Sequence, residues 1–452
     1  MLALAGVVGA PHVSIQAQVT PSGRNTSAIA TLDAATRRDV VDTMAARLRQ
    51  HYVDADTGTL IAEHLKKRLA SGAYDAITSP ARFAELLTDE LRAVNDDRHL
   101  RVIYSPDNTG LRPGPEGIRM FGGPPGGGRG SPPPTVLDAA RQAHWNLGRV
   151  EVLPGNVGYM DIRGFSGART AEPAIVAALR YLEGTDAIIF DVRRNGGGSP
   201  MSVNLIISHF VGADTVASLT VQNRSGHETF TRYTLADVSG PRRPTVPLYV
   251  LTSSATASAA EDFTFVLQNL KRATIVGART AGAGHNNAVL DVGHGFGMSV
   301  SFTRVMDPRT KKEWERVGVQ PDVVVDQARA LDVAHALALK DLVGKEPDAR
   351  RKRLLELTRE TVDAQANPRA VPAGTLAMYA GEYEGGRAVA VENGRLTYSP
   401  RPGIPPETLV ALSDTSFALG AARLVFERSQ SGASQIRVVP PEGEALTYSK
   451  VQ

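Results

Sequence analysis

Ser258 stands in a setting that favours nucleophilic chemistry. It follows the apolar run PLYVLT (residues 247–252) and starts the segment SAAEDFTFVLQNL, which has the pattern of a helix. A serine between a strand and a helix is exposed, and the helix-end amide of Ala259 is placed to hold an oxyanion. Ser258 and Glu261 also fit a capping box, in which the two side chains only satisfy helix-end amides. This segment alone slightly favours the cap over the nucleophile.

A glycine-rich loop follows a second apolar run. DAIIFDV (residues 186–192) predicts a buried strand, and RRNGGGS (residues 193–199) comes directly after it. Successive glycines let a backbone approach a ligand closely, and ligands bind beyond the carboxyl ends of strands in α/β sheets. Taken alone, the loop is better explained as an ordinary turn. Together with Ser258, it indicates a site at one edge of a sheet.

A histidine and a glutamate supply the remaining groups that acyl transfer would need. His99 lies among charged residues in DDRHLRV (residues 96–102), and Glu315 precedes a Gly-Val-Gln-Pro bend. Neutral imidazole can take the proton of a serine near pH 7, and a carboxylate can orient that imidazole. Each residue by itself is most simply a surface residue.

Strands that alternate with helices surround these residues. Residues 156–162 and 186–192 have the character of strands, and residues 170–182 have the spacing of a helix. Residues 31–102 carry apolar residues at helical spacing, whereas residues 370–452 read as short strands with turns. The sequence therefore predicts an α/β core of βαβ units, an N-terminal helical domain and a small C-terminal antiparallel β domain.

Shifts in composition divide the chain into five predicted parts. They are an apolar start (1–28), the helical domain (29–104), a Gly/Pro-rich linker (105–136), the core (137–365) and the β domain (366–452). The start has an apolar run followed by small residues, as in a shortened export signal, or is a disordered tail with a chance apolar run.

Composition excludes several classes of chemistry. The chain has 0 cysteines, which excludes a disulfide, a thiol nucleophile and a cysteine metal site. Its 10 histidines are scattered without the spacing of metal ligands, so we expect no metal and no cofactor. The net charge is +3 with no long basic run, which argues against a nucleic-acid partner. No stretch beyond the start has the roughly 20 apolar residues of an integral membrane segment.

Several motifs occur in an order that resembles the C-terminal-processing (tail-specific) serine peptidase family. They span roughly residues 157–326 and are DVRRNGGG (191–198), TASAAE (256–261), Val276-Gly277 with its glycine loop, Glu315 and GVQPD (318–322). The resemblance implies a ClpP/crotonase-like core, which agrees with the alternation of strands and helices.

Within that family, the chain is similar to the branch that includes the tricorn core protease and the interphotoreceptor retinoid-binding protein repeats. In that branch a helical N-terminal domain ends in an Asp-x-His-Leu-like motif, as residues 97–100 do here. The roles that this resemblance implies are Ser258 as nucleophile, His99 as general base, Glu315 as support for the serine and histidine, and the N–H groups of Gly197 and Ala259 as oxyanion hole.

The chain departs from the serine/lysine branch of the family. A lysine stands there in the loop after the Val-Gly strand, at the place that is Ala283 here, and no convincing PDZ-like segment precedes the core. His285 lies close to that place and is a rival base, and Asn287 is a candidate to position His285 or the substrate. Both histidines stay open as the base.

The resemblance implies a secreted or periplasmic serine peptidase that hydrolyses peptides or protein C-terminal tails through an acyl-enzyme. Its partner would be a peptide or an unfolded protein tail, and the sequence leaves open whether the protein forms a homo-oligomer. The alternative is a non-catalytic binding module for an apolar small molecule, because the retinoid-binding relatives use a similar scaffold.

Overall fold

The structure is a computed structural model that describes residues 32–105, 118–119, 134–224, 226–429 and 432–451. The predicted export signal (1–28) and most of the predicted linker (105–136) lie outside these residues. Within the described range, no helix has the length and apolar character to cross a membrane.

The described residues contain ten α-helices: three precede the Gly/Pro-rich linker, five lie between residues 134 and 345, and two lie between residue 349 and the C-terminal β sheets. They are α1 (Ala34–His51), α2 (Ala55–Ala70), α3 (Pro80–Asn95), α4 (Pro134–Gln142), α5 (Ala168–Tyr181), α6 (Pro200–Ser208), α7 (Ala259–Asn269), α8 (Ala330–Lys345), α9 (Ala349–Ala366) and α10 (Ala373–Tyr379).

The strands form four sheets, two in the first three quarters of the chain and two at its end. They are β1 (Arg101–Tyr104), β2 (Ile118–Arg119), β3 (Leu147–Leu153), β4 (Val157–Ile162), β5 (Ala187–Asp191), β6 (Ala217–Gln222), β7 (Glu228–Tyr233), β8 (Leu248–Thr252), β9 (Ala273–Gly277), β10 (Asn286–Gly293), β11 (Phe296–Met306), β12 (Val323–Val324), β13 (Gly381–Tyr383), β14 (Arg387–Glu392), β15 (Arg395–Ser399), β16 (Glu407–Thr408), β17 (Val410–Ala411), β18 (Ser416–Leu419), β19 (Ala422–Ser429), β20 (Gly432–Val439) and β21 (Leu446–Ser449).

The central sheet has the strand order β12-β9-β8-β5-β4-β3, and every pair except β3–β4 is parallel. Helices α5, α6 and α7 pack on one face, and α8 packs on the other. Strands β4, β5 and β8 are buried along their whole length, as expected for parallel strands covered on both faces. The predicted α/β core of βαβ units is confirmed.

A second sheet joins the N-terminal helices to the core. Its order is β2-β10-β11-β6-β7, and β1 pairs antiparallel with the beginning of β11. Apolar side chains of α1 to α3 share one buried cluster with Leu290 of β10 and Met298 of β11. The segment just before β1, which contains His99, is therefore held against a sheet of the core.

The C-terminal region consists of two antiparallel sheets around one cluster of buried side chains. β13 to β16 form a four-stranded sheet, and β17 to β21 form a five-stranded sheet. Tyr379 stacks on Phe426 with 4.2 Å between ring centroids, at the centre of this cluster. The predicted antiparallel β domain is confirmed.

Candidate active site

Ser258 lies in a sharp turn between β8 and α7. Its φ of 53° and ψ of −120° place a residue with a side chain in a region that L-amino acids rarely adopt, at a cost of about 1–3 kcal/mol. Two hydrogen bonds from the turn to the segment that follows β5 hold it: Ala257 N–H donates to Asn195 O at 3.0 Å, and the Thr256 hydroxyl donates to Val192 O at 2.8 Å. The serine is thus presented at the carboxyl edge of the central sheet.

Glu261 is more than the helix cap that the sequence suggests. Its side chain is fully buried and accepts the Ser258 N–H at 2.9 Å, which is the capping interaction. It also accepts the Thr280 hydroxyl at 2.5 Å and the N–H groups of Gly282 and Ala283 at 2.6 and 2.8 Å. One carboxylate therefore joins the Ser258 turn to the loop after β9.

The glycine loop lies directly against Ser258. Gly197 has φ +114°, and a methyl group on it would lie 2.8 Å from Ser258 Cβ and 3.1 Å from Ala259 N. Only glycine allows this approach without displacement. The loop after β5 and the start of α7 thus meet, as the sequence predicts for two carboxyl ends of one sheet.

The N–H groups of the glycine loop point in different directions. Gly197 N–H donates to Asn195 Oδ1 at 2.8 Å, so in this structure it is engaged within its own loop. Gly197 C=O accepts the N–H of Phe165 at 2.9 Å. Since a trans peptide points its C=O and N–H in opposite directions, Gly198 N–H points away from Phe165. Sequence reasoning identified the loop but not which of its amides is free.

His99 lies in the short connection between α3 and β1. Its backbone N–H donates to Asp97 Oδ1 at 2.8 Å, and its ring Nδ1 lies 3.6 Å from the same oxygen. The side chain is 10% exposed, and neither ring nitrogen has a hydrogen-bond partner among the described residues. The ring is therefore buried next to a carboxylate, and its nitrogens are not committed to any described group.

Asp97 is a functional candidate that the sequence analysis did not single out. It is 1% exposed, and its Oδ2 accepts the hydroxyls of Tyr52 at 2.9 Å and Ser301 at 2.7 Å. Burial disfavours the charged carboxylate, but the neighbouring His99 ring and the Ser301 hydroxyl outweigh it and hold the pKa of Asp97 well below its usual range. The Asp-x-His spacing was the one signal in the sequence that pointed to this residue.

Glu315 and His285 lie on the other side of this cluster. Glu315 Oε2 accepts the N–H groups of Gly284 at 2.6 Å and His285 at 3.0 Å, and lies 3.8 Å from His285 Nδ1. Burial and the nearby charge of Asp97 raise the pKa of Glu315 to about 7. Burial lowers the pKa of His285 to about 4, so this imidazole is neutral at physiological pH.

The predicted site residues thus form two adjoining groups. Ser258, Ala259 and Gly197 meet at the sheet edge, and His99, His285 and Glu315 gather around Asp97. Glu261 links the two groups, because its Oε2 accepts both Ser258 N–H and Ala283 N–H. The two residues after Ala283 then donate their N–H groups to Glu315. No hydrogen bond between Ser258 and His99 is present in the described part of the chain.

Asn287 is bonded within the β10–β11 ladder, whereas Ala283 lies next to the Ser258 turn. Asn287 Nδ2 donates to Ser299 Oγ at 2.7 Å, across the β10–β11 ladder. Ala283 has its backbone next to the Ser258 turn, as the shared Glu261 oxygen requires. The position at which the other branch would carry a lysine therefore adjoins the serine, and an apolar residue fills it.

The structure also brings together groups that could bind a metal ion. One ligand atom each from Asp97, His285 and Glu315 lie within 4.8 Å of one another, the only such group in the residues that the structure describes. The scattered histidines of the sequence gave no sign of it.

Two family models match this chain. Residues 156–325 match the model described as peptidase family S41, and residues 24–121 match the model described as the N-terminal domain of peptidase S41 in eukaryotic IRBP. The first match contains Ser258 and Glu315, and the second contains His99. The group around Asp97 thus combines residues of both matched regions, whereas Ser258, Ala259 and Gly197 all come from the first.

Carboxyl-terminal-processing proteases are among the curated proteins that resemble the chain. The protein of that name from Synechocystis sp. is 32% identical over 177 residues, which cover 38% of this chain and 39% of the relative. The carboxy-terminal processing protease CtpB of Bacillus subtilis is 29% identical over 175 residues, which cover 38% and 34%. The match therefore spans less than two fifths of the length of these relatives.

Solved structures with a likeness to this chain include two proteases. The photosystem II D1 C-terminal processing protease is 19% identical, with a TM-score of 0.40, and the match covers 64% of this chain and 93% of that chain. The tricorn protease is 14% identical, with a TM-score of 0.39, and the match covers 73% and 37%.

Replacing Glu261 by alanine should destabilise the protein strongly. The change leaves four buried donors without their acceptor, and we expect the free energy of unfolding to fall by about 3 kcal/mol or more. The measurement is urea unfolding of the full chain. The matched control is Glu313→Ala, which removes an exposed glutamate. Equal losses in the two variants would mean that Glu261 does not hold the site together.

Proposed function

We propose that this protein is a serine peptidase that hydrolyses peptide bonds, in peptides or protein C-terminal tails, through an acyl-enzyme, because residues 156–325 match the model of peptidase family S41. The observation that carries the proposal is the position of Ser258, held in a strained turn at the start of α7 with the glycine loop against it. A helix cap alone would not require this backbone conformation or this contact.

In the proposed reaction, Ser258 Oγ attacks the carbonyl carbon of the scissile peptide bond while a base takes its proton. The bond to the leaving amine then breaks, and the amine receives that proton. Water, activated by the same base, hydrolyses the acyl-enzyme and restores the serine. Each step needs a group that accepts and returns one proton within reach of Ser258 Oγ.

His99 is the base in this proposal. The Asp97 carboxylate lies beside the ring Nδ1 of His99 and also accepts the backbone N–H of His99. Its negative charge favours the imidazolium that forms when the ring takes the serine proton. Its ring nitrogens have no partner in the described residues, which leaves Nε2 free to face the serine or the substrate. The ring and Ser258 must approach within hydrogen-bond reach when substrate binds, because no such bond exists here.

Glu315 supports the serine and the histidine cluster rather than taking the serine proton. It accepts two successive N–H groups of the loop that carries His285 and that Glu261 anchors to the Ser258 turn. A carboxylate in this place fixes the distance between the nucleophile and the histidine cluster. Support of this kind matters because an error of about 1 Å in the placement of reacting groups can lower the rate about a hundredfold.

The oxyanion would bind between the start of α7 and the glycine loop. Ala259 N–H is the first amide of α7, and the helix N-terminus favours negative charge. The predicted second donor, Gly197 N–H, would have to leave Asn195 Oδ1 to take part. Gly198 N–H is a donor of the same loop that points away from Phe165 and needs no such change. We therefore assign the second oxyanion donor to this loop, either Gly197 N–H or Gly198 N–H.

The proposed place of action is outside the cytoplasm, secreted or in a periplasm. The apolar run and small residues of segment 1–28 support it.

Ser258→Ala should abolish covalent labelling by a fluorophosphonate probe and the hydrolysis of peptides. The probe reacts with an activated serine hydroxyl, and alanine removes that hydroxyl. Ser254→Ala is the matched control, because Ser254 is an exposed serine four residues earlier that lies outside the proposed site, and it should label like the wild type. Labelling that survives in Ser258→Ala, or a wild type that neither labels nor hydrolyses peptides, would leave the binding module as the better account.

The two histidines should differ in their effect on turnover. His99→Gln should lower kcat by about 10² to 10⁴, the usual contribution of a general base, and His285→Gln should lower it much less. Steady-state kinetics on a fluorogenic peptide would measure both, after circular dichroism has shown that each variant is folded. A larger loss in His285→Gln would transfer the role of base to that residue.

Gly197→Ala should impair catalysis while Gly196→Ala should not. The methyl group in Gly197→Ala would press against Ser258 Cβ at 2.8 Å, in a backbone conformation that alanine adopts poorly, whereas no atom lies within 4 Å of the corresponding position at Gly196. The measurement is kcat/KM together with the rate of fluorophosphonate labelling. Similar values for both variants would show that the loop does not abut the working nucleophile.

A further inference from the structure

Two buried carboxylates meet in the histidine cluster, and neither forms an ion pair with a lysine or arginine of the described residues. Asp97 is 1% exposed and Glu315 is 9% exposed. Among the described residues, the only ion-pair contacts of either are with His99 and His285. Burying like charges together is costly unless a positive charge or protons offset them. The cluster therefore has the electrostatics of a site that favours a cation.

Three imidazole nitrogens in this cluster have no described partner. They are Nδ1 and Nε2 of His99 and Nδ1 of His285, and each of the two rings is about nine-tenths buried. A buried polar atom without a partner is rare and calls for an explanation. Imidazole nitrogen is also a principal ligand of zinc. These nitrogens are a second sign of a ligand, independent of the two carboxylates.

We propose that a divalent cation of the zinc type binds among Asp97, His285 and Glu315, with His99 as the fourth ligand. One ligand atom from each of the first three already lies within 4.8 Å of the others, and Glu315 Oε2 lies 3.8 Å from His285 Nδ1. Two nitrogens and two oxygens are a donor set that zinc accepts in tetrahedral sites, at about 2.0–2.2 Å from the ion. His99 Nδ1 lies 3.6 Å from Asp97 Oδ1, which places the fourth donor beside this group.

The cation would act as a reversible inhibitor. An imidazole lone pair that is bound to a metal cannot take the proton of Ser258, and a carboxylate bound to the metal no longer favours the imidazolium. This consequence rests on the proposed function, whereas the binding of the ion does not. Occupancy of the site would thus couple the activity of the peptidase to the concentration of free divalent metal.

The binding test uses the full chain with Ser258→Ala, stripped of metal with EDTA and titrated with zinc chloride in a calorimeter. We expect one equivalent to bind and the melting temperature to rise. His285→Gln and Glu315→Gln, each placed in this background, should weaken binding at least about tenfold. The matched control is His294→Gln, which removes an exposed histidine beside Asp39 and should leave the affinity unchanged.

Cobalt(II) provides a second readout, because its absorption spectrum reports the coordination of the bound ion directly. Bound to the Ser258→Ala chain at the proposed site, it should show the intense visible absorption of four-coordinate cobalt with nitrogen ligands, and zinc should displace it. Binding that His294→Gln abolishes, or that His285→Gln and Glu315→Gln leave intact, would overturn the site. The spectrum of six-coordinate aqueous cobalt would overturn it as well.

Inhibition is tested separately on the wild type. Zinc at a concentration that saturates the calorimetric site should reduce peptide hydrolysis at least tenfold, and EDTA should restore it. If zinc saturates the site without loss of turnover, the inhibitory role is overturned, but the binding site itself still stands. A wild type without any turnover would count against the proposed function, and the calorimetric and cobalt measurements would still decide on the metal.

Discussion

The fully buried carboxylate of Glu261 is the interaction on which the rest of the candidate site depends. It takes hydrogen bonds from the Ser258 turn and from three donors between Thr280 and Ala283. Hydrogen bonds to an ionised acceptor are about twice as strong as neutral ones, and a buried charge is tolerated only when it is paired in this way. The start of α7 and the loop after β9 are therefore fixed to each other.

That link extends from the serine to the histidines. The loop that Glu261 holds continues into the two N–H groups that bind Glu315, and Glu315 stands at the border of the Asp97 cluster. The N-terminal helices complete the arrangement, because β1 pairs with β11 immediately after His99. The Ser301 hydroxyl of β11 donates a hydrogen bond to Asp97, which lies 204 residues earlier in the sequence. The two halves of the site are thus joined by main-chain pairing as well as by side chains.

Both halves contain features that cost stability. Ser258 has an unfavourable backbone conformation, the rings of His99 and His285 are buried with nitrogens that lack described partners, and two carboxylates lie close together. Such features persist only where the surrounding structure is well ordered, and they concentrate where a protein does chemistry or binds a ligand. The parallel strands of the central sheet, buried on both faces, provide that order.

The sequence by itself determined the layers of the fold and the part of the site that is local. Periodicity identified the βαβ core and the C-terminal β sheets, and small residues at two strand ends placed Ser258 next to the glycine loop, because such signals depend on neighbours along the chain. Tertiary structure alone decided what distant segments do to one another. It made Glu261 an anchor for the loop after β9 as well as a helix cap, paired Asn287 with Ser299, and gathered scattered histidines and carboxylates around Asp97. The gathering around Asp97 depends on β11 pairing with β1 and with β10, a long-range contact that no local pattern of residues encodes.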